Sequence, residues 1–357
     1  MQSNSRVMIG TMEAVSILTV SRVFSAVTYS SQSSSINITS SMLAFLFGFL
    51  FDLIIILPFL WLMKKHSTAS LVEFAHSVNP VFGKTVSAIF AVVFTLICAL
   101  NLAQFTRFIA IEFLDVNVLP ILFLTTVATA YGAFMGIEAL GRFSNIVLLL
   151  TILSIVTVFF LFLGEYNLNN FYSPFEDNVF DILSEGIFKA SSTFEVLSVM
   201  FVATVVKGRK KRGFLWFLII SMILIEIVIF TIGAVFGDYA NMTTYTFYDL
   251  IRVSGFSNLR RIDSVYVAVW VLLGFIKCAY YLILAENMFS NLFKRKSITS
   301  SLTTAGLLSF LVAGAFLLKP NLSLITHSAL KTALIFCIVL VPTLLLILLK
   351  RRKHNET

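Results

Sequence analysis

The chain has few charged residues, few cysteines and few histidines. Asp, Glu, Lys and Arg make up only 12% of its 357 residues, whereas hydrophobic residues make up 58% and the mean hydropathy is +0.95. Soluble globular domains carry about 25% charged residues, so this composition excludes a soluble fold and leaves no segment for a separate soluble domain. The sequence therefore predicts an all-α, polytopic membrane protein in which residues 1–357 form one integral domain.

Sequence motifs of enzymes are missing as well. The 4 histidines have no metal-ligand spacing, and we find no phosphate loop, nucleophile elbow or dinucleotide fingerprint. Cys98, Cys278 and Cys337 lie far apart within apolar runs, which favours free buried thiols over a disulfide framework. The net charge of +8 comes from basic residues in short loops, so it does not indicate nucleic-acid binding. We expect no catalytic site, no metal and no cofactor.

Runs of about 20 apolar residues mark transmembrane helices. The sequence contains ten such runs, of which the first and the sixth are the least apolar. The predicted spans are about 9–29, 42–62, 85–107, 118–136, 143–163, 187–206, 214–236, 264–288, 300–318 and 332–349.

The basic residues predict the orientation. Cytoplasmic loops are enriched in Lys and Arg, and alternate loops of this chain follow that rule when both termini are cytoplasmic. The loop between spans 6 and 7 carries five basic residues between positions 207 and 212, whereas the 164–186 loop on the opposite side is acidic. The other long outer connection is 237–263, in which Tyr245–Val253 has the pattern of a short interfacial helix.

Lys277 is the only charged residue between Val265 and Leu284. A lysine near the bilayer centre costs about 3 kcal/mol at the least. Snorkelling to the headgroups is one alternative, but at about 1.5 Å per residue Lys277 lies roughly 20 Å from either end of its span. We therefore expect Lys277 to face water, a carboxylate or a substrate path inside the bundle.

Four further ionisable residues fall near the middle of predicted spans, namely Arg22, Asp52, Glu195 and Glu226. Together with Lys277 they could nearly neutralise one another if all faced one interior. One interpretation is a fixed ion-pair network that only joins helices. The other is a polar cavity that binds a ligand or titrates.

Spans 1 and 6 are interrupted by hydroxyl residues. Irregular backbone at membrane depth is tolerated where it lines a cavity, and two weak spans in corresponding halves indicate an inverted-repeat transporter with broken helices 1 and 6. The repeats would cover about 9–163 and about 187–349. Close helix packing by Ser and Thr is an alternative explanation.

The segment 245–281 resembles the signature region of the spore germination permeases, the GerAB-like B-type subunits of germinant receptors in the amino acid–polyamine–organocation superfamily. Glu195, which follows a Phe in span 6, and the order of the spans also match. The matching positions in the segment are Tyr245, Phe247, Tyr248, Arg252, Phe256, Arg261, Asp263, Trp270, Phe275 and Lys277.

This resemblance implies a LeuT-like fold with a 5+5 inverted repeat and a ligand bound at the midplane between spans 1, 3, 6 and 8. We further hypothesise that Lys277 takes the place of the cation that LeuT-like proteins hold between spans 8 and 1, in a polar core that includes Arg22. The candidates for its carboxylate partner are Glu195, Glu226 and Asp52. Family members usually carry glycines at the break of span 1, whereas this chain has none between Thr11 and Gly48. The candidate ligand-binding residues are Ser21, Ser25, Asn101, Gln104, Ser192, Thr193 and Glu195.

The function implied is a transporter-like subunit of a spore germinant receptor that senses a small nutrient, such as an amino acid, in the spore inner membrane. Its implied partners are an A-type membrane subunit and a C-type lipoprotein. A proton-coupled amino acid symporter is one alternative. A scaffold or channel subunit that no longer binds ligand is another, and the missing glycines of span 1 favour it.

Overall fold

The computed structural model describes residues 8–29, 36–65, 71–112, 117–171, 176–192, 194–208, 210–242, 245–253, 262–293, 298–333 and 343. Within these ranges the chain is helical. The helices are α1 (Thr11–Tyr29), α2 (Ile38–Lys65), α3 (Leu71–Val78), α4 (Pro80–Glu112), α5 (Val118–Phe134), α6 (Gly136–Leu161), α7 (Val179–Ser192), α8 (Glu195–Val202), α9 (Lys210–Phe236), α10 (Thr246–Val253), α11 (Ile262–Phe293) and α12 (Ile298–Leu318).

Six of the described helices, α2, α4, α6, α9, α11 and α12, are long and apolar enough to cross a membrane, and α5 is a shorter apolar helix. Each lies where the sequence predicts a span. The all-α polytopic fold class is therefore confirmed. The division into two inverted repeats, about 9–163 and about 187–349, stays a prediction.

The sixth span is broken, as predicted. Helix α7 ends at Ser192 and α8 begins at Glu195, with Phe194 as a cap that makes no side-chain bond to the helix. The peptide groups at the start of α8 thus lie inside the bundle, where Val196 is only 1% exposed. The first N–H groups of an α-helix have no acceptor within that helix, and irregular backbone at membrane depth is tolerated where it is buried in protein or lines a cavity.

The predicted break in the first span is wrong, because α1 runs without interruption from Thr11 to Tyr29. It contains no glycine or proline. Its hydroxyl groups instead bond back to the preceding turn, since Ser25 donates to the Ser21 carbonyl at 3.5 Å and Thr28 donates to the Phe24 carbonyl at 2.6 Å. Such bonds are compatible with a continuous helix.

The end of the chain also differs from the prediction. Residues 320–333 are helical, although we expected a loop before a span at 332–349, and most of that predicted span lies outside the described residues. Lys319, Pro320, His327 and Lys331 lower the local hydropathy and obscure the helix in the sequence. His327 therefore lies on a helix and not between spans.

Helix α11 lies at the centre of the bundle and contacts α1, α4, α5, α6 and α12.

Helices α2 and α7 cross closely at two glycines. A Cβ at Gly48 would lie 2.7 Å from the Gly186 carbonyl oxygen, and a Cβ at Gly186 would lie 2.6 Å from the Ala44 carbonyl oxygen. Backbone bonds from Ile9 to Val205 and from Lys207 to Ile9, at 2.9 and 2.8 Å, join the start of α1 to the residues after α8.

Candidate ligand and cation site

The ammonium of Lys277 is enclosed by oxygen atoms from two other helices. Lys277 is 0% exposed on α11. Its Nζ lies 2.9 Å from Oε1 of Glu195 on α8, and it donates to the Ser21 carbonyl of α1 at 3.2 Å and to the Ser25 hydroxyl. A carboxylate, a carbonyl and a hydroxyl compensate the charge of a buried ammonium. The snorkelling alternative does not apply, because the charge stays inside the bundle.

Glu195 is the carboxylate that pairs with Lys277. It is the first residue of α8, where a negative charge is favoured by the helix dipole. Its Oε1 also accepts a hydrogen bond from the Tyr281 hydroxyl at 3.3 Å. Its Oε2 is buried and has no partner among the described residues, which leaves one strong acceptor for a further donor.

Two aromatic rings complete the surroundings of Lys277. Its Nζ lies 5.7 Å from the ring centroid of Phe24 and 5.9 Å from that of Tyr281. Both distances are within the range of cation–π attraction. These rings exclude lipid and water from the ammonium, so that the bound oxygens dominate its environment.

A second buried ion pair lies on the other side of α1. Arg22 Nη2 is 2.6 Å from Oδ2 of Asp52 on α2, and both side chains are nearly fully buried. The guanidinium also lies 5.8 Å from the Phe217 ring centroid. Asp52 is within electrostatic range of Glu195. The two pairs thus form one neutral group of four charges at the junction of α1, α2, α8 and α11.

Glu226 lies outside that group. It interacts electrostatically with Lys189 of α7, a residue that the sequence analysis missed although it falls inside predicted span 6. Lys189 Nζ is 3.7 Å from Oε1 of Glu185 and 3.3 Å from the Ser41 hydroxyl, and it lies 4.5 Å from the Phe45 ring centroid. The five mid-span ionisable residues are therefore divided between two places. Lys277, Glu195, Arg22 and Asp52 lie together, whereas Glu226 lies near Lys189.

The remaining candidate residues lie in different places. Asn101 is buried on α4, donates to the Ile97 carbonyl at 2.6 Å and keeps an unpartnered Oδ1 within the described part of the chain. Ser192 is the last residue of α7, and nothing is described of its side chain. Thr193 lies outside the described residues. Gln104 lines a cavity beyond the Lys277 site.

This cavity, which we call the Arg107 cavity, has a volume of about 340 Å³. It opens at the bundle end where α1 and α4 finish, beside the segment that leads into α10. The sequence analysis missed Arg107 and His327, because Arg107 falls at the end of predicted span 3 and His327 in a predicted loop. The lining residues are Thr28, Leu100, Ala103, Gln104, Arg107, Ile111, Tyr245, Pro320, Ser323, Leu324 and His327.

Neutral groups hold Arg107 in this cavity. Its guanidinium donates to the Phe316 carbonyl, and its Nη1 lies 3.5 Å from the Ser323 hydroxyl. Burial raises the pKa of Tyr245 to about 12, so this phenol is uncharged near neutral pH. No carboxylate lines the cavity within the described part of the chain. Its electrostatic potential is therefore positive.

No cluster of three or more His, Cys, Asp or Glu residues that could hold a metal occurs within the described ranges. The described residues around Lys277 offer hydrogen bonding, ion pairing and cation–π attraction. Cys98 and Cys278 are free and buried, as predicted.

Comparison with known proteins agrees with this architecture. The sequence model of a family described as spore germination protein matches residues 8–322. The Bacillus subtilis protein YfkT, whose name assigns it to spore germination, is 25% identical over 318 residues, which cover 86% of this chain and 87% of YfkT.

A solved structure shares the fold. It is the substrate-bound, outward-open state of a sodium-coupled sialic acid symporter. The superposition gives a TM-score of 0.62 at 15% sequence identity and covers 94% of this chain and 79% of the symporter. At this identity the similarity concerns the fold alone.

Proposed function

This chain belongs to the spore germination protein family, and we propose that it is the transporter-like membrane subunit of a germinant receptor, which senses a small nutrient of the amino acid class. The observation that carries the proposal is the enclosure of Lys277. A built-in ammonium bound by α1 and α8 supplies the charge that a sodium-coupled symporter takes from a free ion. Ligand binding would then need no sodium.

The nutrient site that we propose lies next to this ammonium, between spans 1, 3, 6 and 8. Backbone N–H groups at the start of α8 would bind a carboxylate. Glu195 Oε2 and Asn101 Oδ1, both buried and unpartnered in the described ranges, would accept from an amino group. Ser21, Ser25, Gln104, Ser192 and Thr193 remain further candidates.

The receptor role requires partners and a location. We propose an A-type membrane subunit and a C-type lipoprotein as partners, in the inner membrane of a spore, with both termini of this chain on the cytoplasmic side. Affinity purification of the tagged chain from spores should recover both partners. Recovery of the chain alone, from spores that germinate normally, would contradict the receptor role.

Two alternatives remain specific enough to test. The fold shared with a symporter favours a proton-coupled amino acid symporter. The continuous α1, with Arg22 inside the bundle, favours a scaffold or channel subunit that binds no ligand.

Binding and uptake measurements on the same preparation separate the three functions. A sensor should bind at least one labelled amino acid saturably without sodium, should not concentrate it in proteoliposomes, and should be required for the response of spores to it. Uptake driven by a pH gradient would favour the symporter. No binding, together with loss of germination in spores that lack the chain, would favour the scaffold.

A further inference from the structure

We infer that the Arg107 cavity is a second binding site, one that takes a small carboxylate before the ligand reaches the Lys277 site. This inference deepens the proposed function and rests on it. Under the predicted orientation the cavity opens to the outer side, because α1 and α4 both end there. A ligand arriving from outside would meet Arg107 before it met Glu195.

The lining of the cavity defines the ligand class. Arg107 is fixed by a carbonyl and a hydroxyl, and an arginine held in this way presents a planar pair of donors that fits a carboxylate. Helix α4 also brings Gln104 to the cavity, one turn before Arg107, and the Gln104 Oε1 is buried without a partner among the described residues. A cationic donor and a neutral acceptor three residues apart on one helix complement an amino acid, which carries both a carboxylate and an ammonium.

Aromatic and charged neighbours support the same class. Tyr245 packs edge-to-face on Phe108 with ring centroids 5.1 Å apart, so the segment that leads into α10 closes one wall. His327 faces the cavity from the 320–333 helix and interacts electrostatically with Lys331 and Lys277. Arg107 is the one permanent charge among the described lining residues, and it disfavours a ligand with a net positive charge.

A labelling experiment tests this inference without knowledge of the ligand. Leu324 lines the cavity and is 58% exposed, so Leu324→Cys places a reporter thiol there. The three natural cysteines are first replaced by alanine. The rate of labelling by a membrane-impermeant thiol reagent is then measured on spheroplasts that express the full chain, with each standard amino acid and with its carboxamide.

At least one amino acid should slow the labelling of residue 324, by about tenfold once its concentration is about ten times its Kd. Its carboxamide, which lacks the negative charge, should not. Arg107→Gln should raise the amino acid concentration that gives half-maximal protection by about ten- to a hundredfold. Arg142→Gln is the matched control and should keep full protection, since Arg142 is exposed and Glu138 is its ion-pair partner among the described residues.

Arg107→Lys is a second variant, in case Arg107→Gln does not fold. It retains the positive charge but lacks the planar pair of donors. Protection intermediate between the parent and Arg107→Gln is expected. Equal protection by an amino acid and its carboxamide, or no protection by any amino acid, would overturn the inference. The proposed function would survive that result if the purified chain still bound a labelled amino acid, so the two failures are distinguishable.

Discussion

At the scale of single residues, Lys277 and Glu195 depend on each other. Each charge is buried completely, and each is compensated mainly by the other at 2.9 Å. Removing one member of a buried pair leaves an uncompensated charge, whereas replacing both members can be nearly neutral. The pair therefore matters less for its own attraction than for the cost of breaking it.

Lys277→Met should lower the unfolding free energy by about 3–5 kcal/mol, because Glu195 is left buried without its cation. Lys277→Met with Glu195→Gln should recover a large part of that loss. The measurement is the thermal unfolding of detergent-purified protein followed by size-exclusion chromatography. Lys319→Met, at an exposed position, should have no effect. A double variant as unstable as the single one would contradict the pairing.

Arg22 and Asp52 form a second buried pair in which each charge depends on the other. We expect Asp52→Asn to destabilise the protein by about 3 kcal/mol, since Arg22 then loses its only described carboxylate. Because Asp52 is within electrostatic range of Glu195, its effect should not add to that of Glu195→Gln. A double-mutant cycle with the same unfolding assay measures this coupling. Additive effects would mean that the two pairs are independent.

At the scale of elements, the crossing of α2 and α7 controls the position of the broken sixth span. A methyl group at Gly186 would meet the backbone carbonyl oxygen of Ala44 at 2.6 Å, and that backbone cannot move without shifting α2. We expect Gly186→Ala to lower the stability by about 1–3 kcal/mol, the usual cost of overpacking. Because α7 leads to Glu195, the same change should weaken amino acid binding.

Gly306→Ala provides the control for that prediction. Gly306 lies on α12, and no atom of the described residues is within 4 Å of a Cβ built there. Alanine has the higher helix propensity by about 1 kcal/mol, so the control should be neutral or slightly stabilising. The comparison uses the melting temperature and the amino acid affinity of both variants. Equal behaviour of the two variants would rule out a close α2–α7 contact.

The sequence predicts most elements and misses those whose structure depends on distant partners. Long apolar runs identify α2, α4, α6, α9, α11 and α12 because burial in lipid requires them. The hydroxyl pattern correctly predicts the break before α8 but wrongly predicts one in α1, since the same residues can bond to the preceding turn. The 320–333 helix is not predicted, because its charged residue Lys331 depends on a distant partner. Lys331 Nζ lies 3.2 Å from the ring centroid of Phe188 on α7, a contact that no local sequence pattern reveals.

The candidate site shows the same division. Hydropathy identifies Lys277, Glu195, Arg22 and Asp52 as anomalies in apolar runs, and all four meet in the structure. The pairing of each carboxylate with a cation depends on how the helices rotate and cross, and composition does not predict either. Glu226 is an example of such a wrong pairing. The sequence places it among the candidate partners of Lys277, whereas in the structure it interacts electrostatically with Lys189.

At the scale of the whole molecule, orientation decides which side of the membrane the ligand comes from. The positive-inside rule places the loop between α5 and α6 in the cytoplasm and the loop between α12 and the 320–333 helix outside. Lys319 is exposed at the second place, and Glu138 at the first is partly exposed, with 45% of its side chain accessible. In the cysteine-free background, Lys319→Cys should react with an impermeant maleimide added to intact cells.

Glu138→Cys should react only after the cells are permeabilised. The two variants form a pair, because both replace a charged residue with an accessible side chain near a helix end, and they report on opposite sides of the membrane. The reverse pattern would place both termini outside and would make the Arg107 cavity open toward the cytoplasm. In that case a nutrient arriving from outside would reach the Lys277 site without passing Arg107, and the carboxylate selection inferred for that cavity could not act on entry.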